Sequence, residues 1–202
     1  MQIKNVIFDF GNVLIKWDPH NLYNNYFGDN QKADWFLKNI FTMEWNAMMD
    51  TDKTFSQVTS ELTALYPQWA DAIRAYDERW DEMIGGPIPE MWQLIEKLRS
   101  QGYKTYGLSN WPIEKLHPTV KLREMLDGAV ISSLVQLSKP DPAIYRYLID
   151  TYFIKPEESV FIDDIPQNII AAEQLGFHGI IFQDYASLLP QLSDILRTDL
   201  KP

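Results

Sequence analysis

Five short apolar runs, most of them ending at a polar residue or a glycine, constrain what this chain can fold into. They lie at residues 5–11, 104–110, 128–132, 159–164 and 179–182, and they are rich in β-branched and aromatic side chains. Such runs are typical of strands buried on both faces, as in a parallel sheet. Between them, apolar residues recur three or four apart, as at Trp92, Ile95 and Leu98, which predicts helices. The alternation predicts an α/β fold, a Rossmann-like parallel-sheet core with helices on both faces.

Residues 18–86 follow a different pattern. They contain no convincing strand, and Val58, Leu62 and Leu65 share one helical face. We predict an inserted α-helical cap over residues 18–86, hereafter the cap segment, and a core domain formed by residues 1–17 and 87–202. Asp18 precedes a proline and is expected to start the first cap helix rather than to act as a catalytic acid. The Gly- and Pro-rich residues 85–89 are expected to close the segment.

Charge and composition limit the partners. The net charge is -10 with a pI near 4.7, and no Lys or Arg run is present, so we expect neither nucleic-acid nor anionic-membrane binding. A small phosphate ester remains compatible, because a bound divalent cation sets the local field. With no cysteine, no secretory signal pattern and no stretch long enough to span a bilayer, we expect a soluble, cytoplasmic protein. The oligomeric state is not readable from the sequence.

Polar residues cluster at the ends of the predicted strands. The set comprises Asp9 after the first strand, Ser109 and Asn110 after the second, Lys139 in a later loop, and the pair Asp163 and Asp164. Ligands of parallel sheets bind beyond these strand ends. Taken singly, each residue could serve in a turn, a helix cap or the surface. Together they supply a carboxylate, a hydroxyl, an amide, an ammonium and an acidic pair, which is what phosphoryl transfer assisted by Mg²⁺ requires.

Four short phrases carry a resemblance to a known family. They are FDFGNVL at 8–14, LSNW at 108–111, SKPDP at 138–142 and FIDD at 161–164. In this order and placement the chain resembles the haloacid dehalogenase superfamily of hydrolases, in particular its small phosphatases with a helical cap and sugar-phosphate substrates. The resemblance covers nearly the whole chain.

The resemblance implies a role for each residue. Asp9 would attack the phosphorus and form an aspartyl-phosphate, which water then hydrolyses, while Lys139 would hold Asp9 and the phosphate. Ser109 and the backbone of Asn110 would donate hydrogen bonds to the phosphate, and Trp111 would line the pocket. The implied Mg²⁺ ligands are Asp9, the carbonyl of Gly11, Asp164 and, directly or through water, Asp163. The implied substrate is a small phosphorylated metabolite such as a sugar phosphate.

Two positions depart from the family pattern. Many of these phosphatases carry a second aspartate two residues after the nucleophile, as general acid and base, where this chain has Gly11. General acid-base help is worth about a hundred- to ten-thousand-fold in rate, so the group that protonates the leaving group is unassigned. Asn168 stands where many relatives place another acid; it can donate a hydrogen bond but adds no charge.

Two other functions fit parts of the pattern. A 2-haloacid dehalogenase also uses an aspartate nucleophile but needs no metal, and its anionic substrate would meet the Asp163–Asp164 pair unshielded. The acidic pair therefore favours a phosphatase. A binding or regulatory module that keeps the fold with weak catalysis is the third alternative, motivated by Gly11.

Overall fold

The computed structural model describes residues 2–200. These residues form seven strands: β1 (Asn5–Phe8), β2 (Ile15–Trp17), β3 (Ile84–Pro87), β4 (Lys104–Ser109), β5 (Gly128–Ile131), β6 (Ser159–Asp163) and β7 (His178–Ile181). Five of them build one parallel sheet in the order β5-β4-β1-β6-β7. Each of the five predicted apolar runs supplies one strand of this sheet, so the predicted α/β fold is confirmed.

Eleven α-helices lie in the same residues. They are α1 (His20–Phe27), α2 (Asn30–Asn39), α3 (Met43–Met49), α4 (Phe55–Leu65), α5 (Ala70–Glu78), α6 (Pro89–Ser100), α7 (Val120–Met125), α8 (Ser132–Val135), α9 (Pro142–Tyr152), α10 (Pro166–Gln174) and α11 (Tyr185–Leu196). The helical patterns of the sequence correspond to α4, α6, α9 and α10. No helix in residues 2–200 is both long and apolar enough to cross a bilayer.

Strand β1 lies at the centre of the sheet and is buried along its whole length. Its side chains alternate between two hydrophobic clusters: Val6 and Phe8 join the one that contains α6 and α11, and Ile7 joins the one that contains α9. Burying one such side chain contributes about 1.5–3 kcal/mol. The central strand is therefore firmly packed, and Asp9 follows directly from it.

The register of the sheet brings the predicted site residues to one edge. Phe8 lies opposite Gly107 of β4 and Ile162 of β6, so Asp9 follows at the level of Leu108 and Asp163. Gly107 is required here because a Cβ would lie 2.5 Å from the ring of Phe10. The turn after β1 packs against β4 in that space, which fixes the direction in which Asp9 leaves the strand.

The cap segment contains α1 to α5 and ends in a strand that the sequence did not predict. Strand β3 pairs antiparallel with β2, and Ile15 lies opposite Pro87. The prediction of no strand is wrong at this point because an Ile-Gly-Gly-Pro stretch has low β propensity and is ordered by its distant partner. Gly85 allows the pairing, since a Cβ there would lie 2.8 Å from that of Lys16. The division into core and cap domains stays a prediction.

The start of the cap segment follows the expected chemistry with a small shift. Helix α1 begins at His20 with Pro19 as the N-cap, one residue later than predicted, and Asp18 Oδ1 accepts the His20 N–H at 2.9 Å. In α4, Val58 and Leu62 are buried as expected, whereas Leu65 at the helix end is exposed.

Hydrogen bonds and an ion pair join the cap segment to the segments that directly follow β4 and β5. Ser132 Oγ donates to the Asp50 carbonyl at 2.6 Å, and Gln136 donates to the Thr51 carbonyl at 2.9 Å. Nearby, Lys115 forms an ion pair with Asp77 at 2.8 Å. Because these segments begin at the carboxyl ends of their strands, the cap segment rests above the predicted site.

Candidate active site

Asp9 is held rigidly at the end of β1. Its N–H donates to the Ile162 carbonyl of β6 at 2.9 Å, and its Oδ1 accepts the N–H of Phe10 at 2.7 Å. The residue is only 7 % exposed. One carboxylate oxygen is therefore oriented by the backbone, in a setting where little water competes for it.

Lys139 connects Asp9 to the acidic pair. Its Nζ lies 2.9 Å from Asp9 Oδ1 and 2.6 Å from Asp163 Oδ2, and it donates to the Leu108 carbonyl at 2.9 Å. These contacts use all three ammonium donors. The side chain of Asn110 fixes the loop, because it accepts the Lys139 N–H and donates to the Lys139 carbonyl, both at 2.9 Å. The predicted Lys139–Asp9 contact is therefore present.

Asp163 is fully buried, and both of its oxygens are engaged by the protein. Besides Lys139, it accepts the N–H of Ile165 at 2.8 Å and the Asn168 amide at 3.0 Å on each oxygen. Asn168 thus supplies a hydrogen-bond donor where an acid was expected from the family pattern. This arrangement orients Asp163 towards Lys139 and leaves its oxygens little freedom for other ligands.

Asp164 is only partly buried and lies next to a residue that the sequence did not single out. Burial and then the charge of Asp163 raise the pKa of Asp164, and a hydrogen bond with Asn12 opposes this. Asn12 adopts a left-handed backbone at φ 56° and accepts the N–H of Trp17. No pattern identified Asn12 in advance, because its contact to Asp164 joins the first turn to a distant strand end.

Negative charge exceeds positive charge in this cluster. Ligand atoms of Asp9, Asp163 and Asp164 all lie within 4.8 Å of one another, whereas Lys139 supplies one positive charge. Burial, together with the charges of Asp163 and Asp164, raises the pKa of Asp9 to about 7, against the lowering effect of Lys139. Burial lowers the pKa of Lys139, but Asp9 and Asp163 outweigh it and raise the pKa overall. Such uncompensated buried charge is costly and suits a divalent cation.

The donor set fits Mg²⁺, which prefers carboxylate and carbonyl oxygens. Asp9 and Asp164 offer carboxylate oxygens at neighbouring strand ends. Gly11 and Ile15 form an isolated β-bridge through two hydrogen bonds: the Asn12 N–H donates to the Ile15 carbonyl, and the Ile15 N–H donates to the Phe10 carbonyl. Neither bond uses the Gly11 carbonyl. Of the four predicted ligands, Asp163 is the one whose oxygens are already engaged by Lys139, Ile165 and Asn168, and the ligand set stays a prediction.

Ser109 lies at the end of β4, fully buried, and its hydroxyl has no hydrogen-bond partner in residues 2–200. An unsatisfied buried hydroxyl costs about 1–3 kcal/mol unless a ligand or water pairs with it. Ser109 follows Leu108, whose carbonyl accepts a hydrogen bond from Lys139. Its hydroxyl is therefore suited to donate a hydrogen bond to an oxygen-rich ligand at the carboxylate cluster.

Trp111 has a packing role that the sequence did not show. Its ring contacts Trp80 of the cap segment edge to face at 5.8 Å, its indole N–H donates to the Lys115 carbonyl at 2.7 Å, and its backbone N–H donates to Ser132 Oγ at 3.0 Å. These contacts place the side chain between core and cap segment. Its predicted role in lining the pocket stays a prediction.

Comparison with known proteins places this geometry in a family. The sequence model of the haloacid dehalogenase-like hydrolase family matches residues 3–176, which include the whole carboxylate cluster. The chain belongs to the haloacid dehalogenase-like hydrolases. The resemblance inferred from the four sequence phrases is therefore confirmed at the level of the family.

The relatives of this hydrolase include more than one activity. A sesquiterpene phosphatase of Aspergillus oryzae is 26% identical over 96% of each chain. An (S)-2-haloacid dehalogenase of Burkholderia cepacia is 30% identical over 46% of this chain and 41% of its own. A family enzyme of Bacteroides thetaiotaomicron, solved with magnesium and inorganic phosphate, superposes with a TM-score of 0.69 at 21% identity, over 92% of this chain and 98% of its own. This last likeness shows the shared fold.

Asp50 is the residue of this hydrolase that sequence reasoning missed and that the structure brings towards the cluster. It follows α3 in the cap segment and is 7 % exposed. Burial, and then the charge of Asp9, raise the pKa of Asp50 to about 7, against the lowering effect of Lys139. Its position depends on how the cap segment packs on the core, for which the sequence around it gave no signal.

Proposed function

We propose that this hydrolase is a Mg²⁺-dependent phosphatase that cleaves a small phosphorylated metabolite through an aspartyl-phosphate on Asp9. The observation that carries the proposal is the excess of carboxylates over ammonium groups at the strand ends, where the Ser109 hydroxyl has no hydrogen-bond partner among residues 2–200. An anionic cluster of this kind disfavours an anionic substrate unless a cation is shared between them, and phosphate esters are commonly bound in that way.

The side chains of this site divide the work. Asp9 attacks phosphorus, and the hydrogen bonds from Phe10 and Lys139 hold its Oδ1 in one orientation. Lys139 and the Ser109 hydroxyl stabilise negative charge on the transferred phosphoryl group. Asp163 positions Lys139. When bound by Asp9, Asp164 and the Gly11 carbonyl, Mg²⁺ would supply the charge neutralisation that lets two anions meet.

The comparisons support the phosphatase over the dehalogenase. The phosphatase from Aspergillus oryzae matches the chain along 96% of its length, whereas the dehalogenase matches 46%. The neighbour of the same fold binds magnesium and phosphate. A small substrate is favoured because the cap segment is bonded over the strand ends by Ser132 and Gln136, which limits the space above the site. A sugar phosphate is the substrate class that the sequence resemblance favours.

Phosphate release from para-nitrophenyl phosphate tests the proposal. We expect turnover with Mg²⁺, loss of turnover in a chelator, and a fall of at least about a thousandfold in Asp9→Asn. Asp52→Asn, an equivalent change at an exposed residue of the cap segment, is the matched control and should retain activity.

Other outcomes would contradict parts of the proposal. Equal turnover by Asp9→Asn and the parent would exclude Asp9 as nucleophile. Halide release from a 2-haloacid that persists in a chelator would favour a dehalogenase. Tight phosphate binding without turnover of any ester would favour a binding module. A screen of sugar 1-phosphates against 6-phosphates then identifies the preferred substrate.

A further inference from the structure

The proposed chemistry lacks a proton donor for the leaving oxygen, and this inference rests on that proposed function. Gly11 has no side chain, and the ammonium protons of Lys139 are all engaged by Asp9, Asp163 and Leu108. Asp18, the acid considered from the sequence, has an exposed side chain that is bonded to His20. The donor must therefore come from another element above the strand ends.

The main chain of Asp50 is fixed over the loop that follows Ser109 at the end of β4. Ser132 Oγ donates to the Asp50 carbonyl at 2.6 Å and accepts the Trp111 N–H at 3.0 Å. Trp111 lies two residues after Ser109 and directly after Asn110, which holds the loop of Lys139. One hydroxyl thus joins the end of α3 to the strand end at which the phosphate is proposed to bind.

The side chain of Asp50 is buried without a protein partner. In residues 2–200, its carboxyl group makes no hydrogen bond and no ion pair, although the residue is 93 % buried. Besides burial, the charges of Asp9 and Lys139 in the core both act on its pKa, Asp9 raising it and Lys139 lowering it. In the cap segment, burial and in turn the charge of Asp50 raise the pKa of Tyr76, whose hydroxyl donates to Asn46 at 2.7 Å.

This setting favours a protonated carboxyl group. Tyr76, whose pKa is raised by burial and by the charge of Asp50, stacks on Phe41 at 3.7 Å and supplies no positive charge to Asp50. An isolated buried carboxylate is costly, whereas a neutral carboxylic acid can remain and donate its proton. Asp52, two residues further on, is exposed and has no such setting.

We propose that Asp50 is the general acid and base of this hydrolase, in place of the missing acid at Gly11. As an oxygen of Asp9 bonds to phosphorus, the bond from phosphorus to the leaving oxygen breaks, and that oxygen takes its electron pair and the proton of Asp50. The Asp50 carboxylate then accepts a proton from water as the water oxygen attacks the aspartyl-phosphate. Breaking the bond from phosphorus to Asp9 releases inorganic phosphate and restores both carboxyl groups.

The test compares two leaving groups on one variant. The para-nitrophenolate ion is stable enough to leave without a proton. An alkoxide is not, so it needs a proton from a general acid as it leaves. We therefore expect Asp50→Asn to keep kcat/KM for para-nitrophenyl phosphate within about tenfold of the parent, because kcat/KM reports the steps up to release of the leaving group and not the later hydrolysis of the aspartyl-phosphate. For the best alkyl phosphate in a panel of sugar and glycerol phosphates, kcat/KM should fall by about a hundred- to ten-thousand-fold. Asp52→Asn is the matched control and should change neither rate.

The outcomes separate this inference from the proposed function. Retained cleavage of para-nitrophenyl phosphate also shows that Asp50→Asn is folded. An equal loss of kcat/KM on both substrates, a change in KM alone, or no loss of kcat/KM on the alkyl phosphate would overturn the role of Asp50. A parent enzyme that cleaves para-nitrophenyl phosphate but no alkyl phosphate would overturn it too, and would leave the proposed function intact. If the parent cleaves neither substrate with Mg²⁺, both fail.

Discussion

Replacing Asp50 by asparagine should make the protein more stable at alkaline pH, in proportion to what burial of the carboxyl group costs. Asparagine has nearly the same size and does not ionise. The pKa of Asp50 is about 7 in the fold, against 3.8 for an ordinary aspartate. Each pH unit between these values is worth about 1.4 kcal/mol, so a difference of about 3 units corresponds to roughly 4 kcal/mol as an upper estimate.

The sign follows from proton binding in the two states. Below pH 4 both states hold the proton, and Asp50 costs nothing relative to asparagine. Between pH 4 and 7 the unfolded chain releases the proton while the fold retains it, so the parent loses stability as the pH rises. Above pH 7 the full penalty is present. We therefore expect the stability gain of Asp50→Asn to be near zero at pH 4 and largest at pH 8.

Urea unfolding at pH 4 and pH 8 in the presence of a chelator measures this difference. With a slope of about 1–3 kcal/mol per molar urea, a gain of roughly 4 kcal/mol moves the midpoint at pH 8 by more than about 1 M. Asp52→Asn should show no such pH-dependent gain, because that residue is exposed. A gain that is absent at pH 8, or the same at both pH values, would refute the reasoning. A confirmed gain would mean that this residue is kept at the expense of stability.

Two further variants test the charge balance and the missing acid. Lys139→Met leaves Asp9 and Asp163 without their shared cation, and its free energy of unfolding at pH 8 should fall by about 3–5 kcal/mol, with a smaller loss at pH 5, in the same urea assay. Gly11→Asp places an acid where a Cβ would have no neighbour within 4 Å. It should raise alkyl phosphate turnover more in the Asp50→Asn background than in the parent, as a kinetic double-mutant cycle measures.

The parallel sheet was predictable because its strands are buried on both faces and are therefore apolar without interruption. The same reasoning placed Asp9 and the Asp163–Asp164 pair together, since strands β1 and β6 are neighbours and their carboxyl ends share one edge. Strand β3 was not predictable. Its Ile-Gly-Gly-Pro sequence becomes a strand through pairing with β2, which lies about 70 residues earlier in the chain.

Contacts between distant segments also account for what the sequence did not show at the site. Asn110 was expected to act through its backbone, yet its side chain fixes the loop of Lys139, and no local pattern reports such a pair. Asn12 is similar, since its contact with Asp164 exists only once β1 and β6 are side by side. Asp50 lies after a short helix in a segment whose orientation depends on packing.

The raised pKa values of Asp9 and Asp50 bear on how two carboxyl groups can take opposite roles. In the protein alone, burial raises both pKa values to about 7, so neither group is committed to a role. A divalent cation bound to Asp9 and Asp164 would lower the pKa of its direct ligand Asp9 most. Asp50 is buried and has no hydrogen-bond partner among residues 2–200, so it would keep its proton longer. Cation binding would thus leave Asp9 ionised as the nucleophile and Asp50 neutral as the acid, a division that acid-base catalysis by paired carboxyl groups requires.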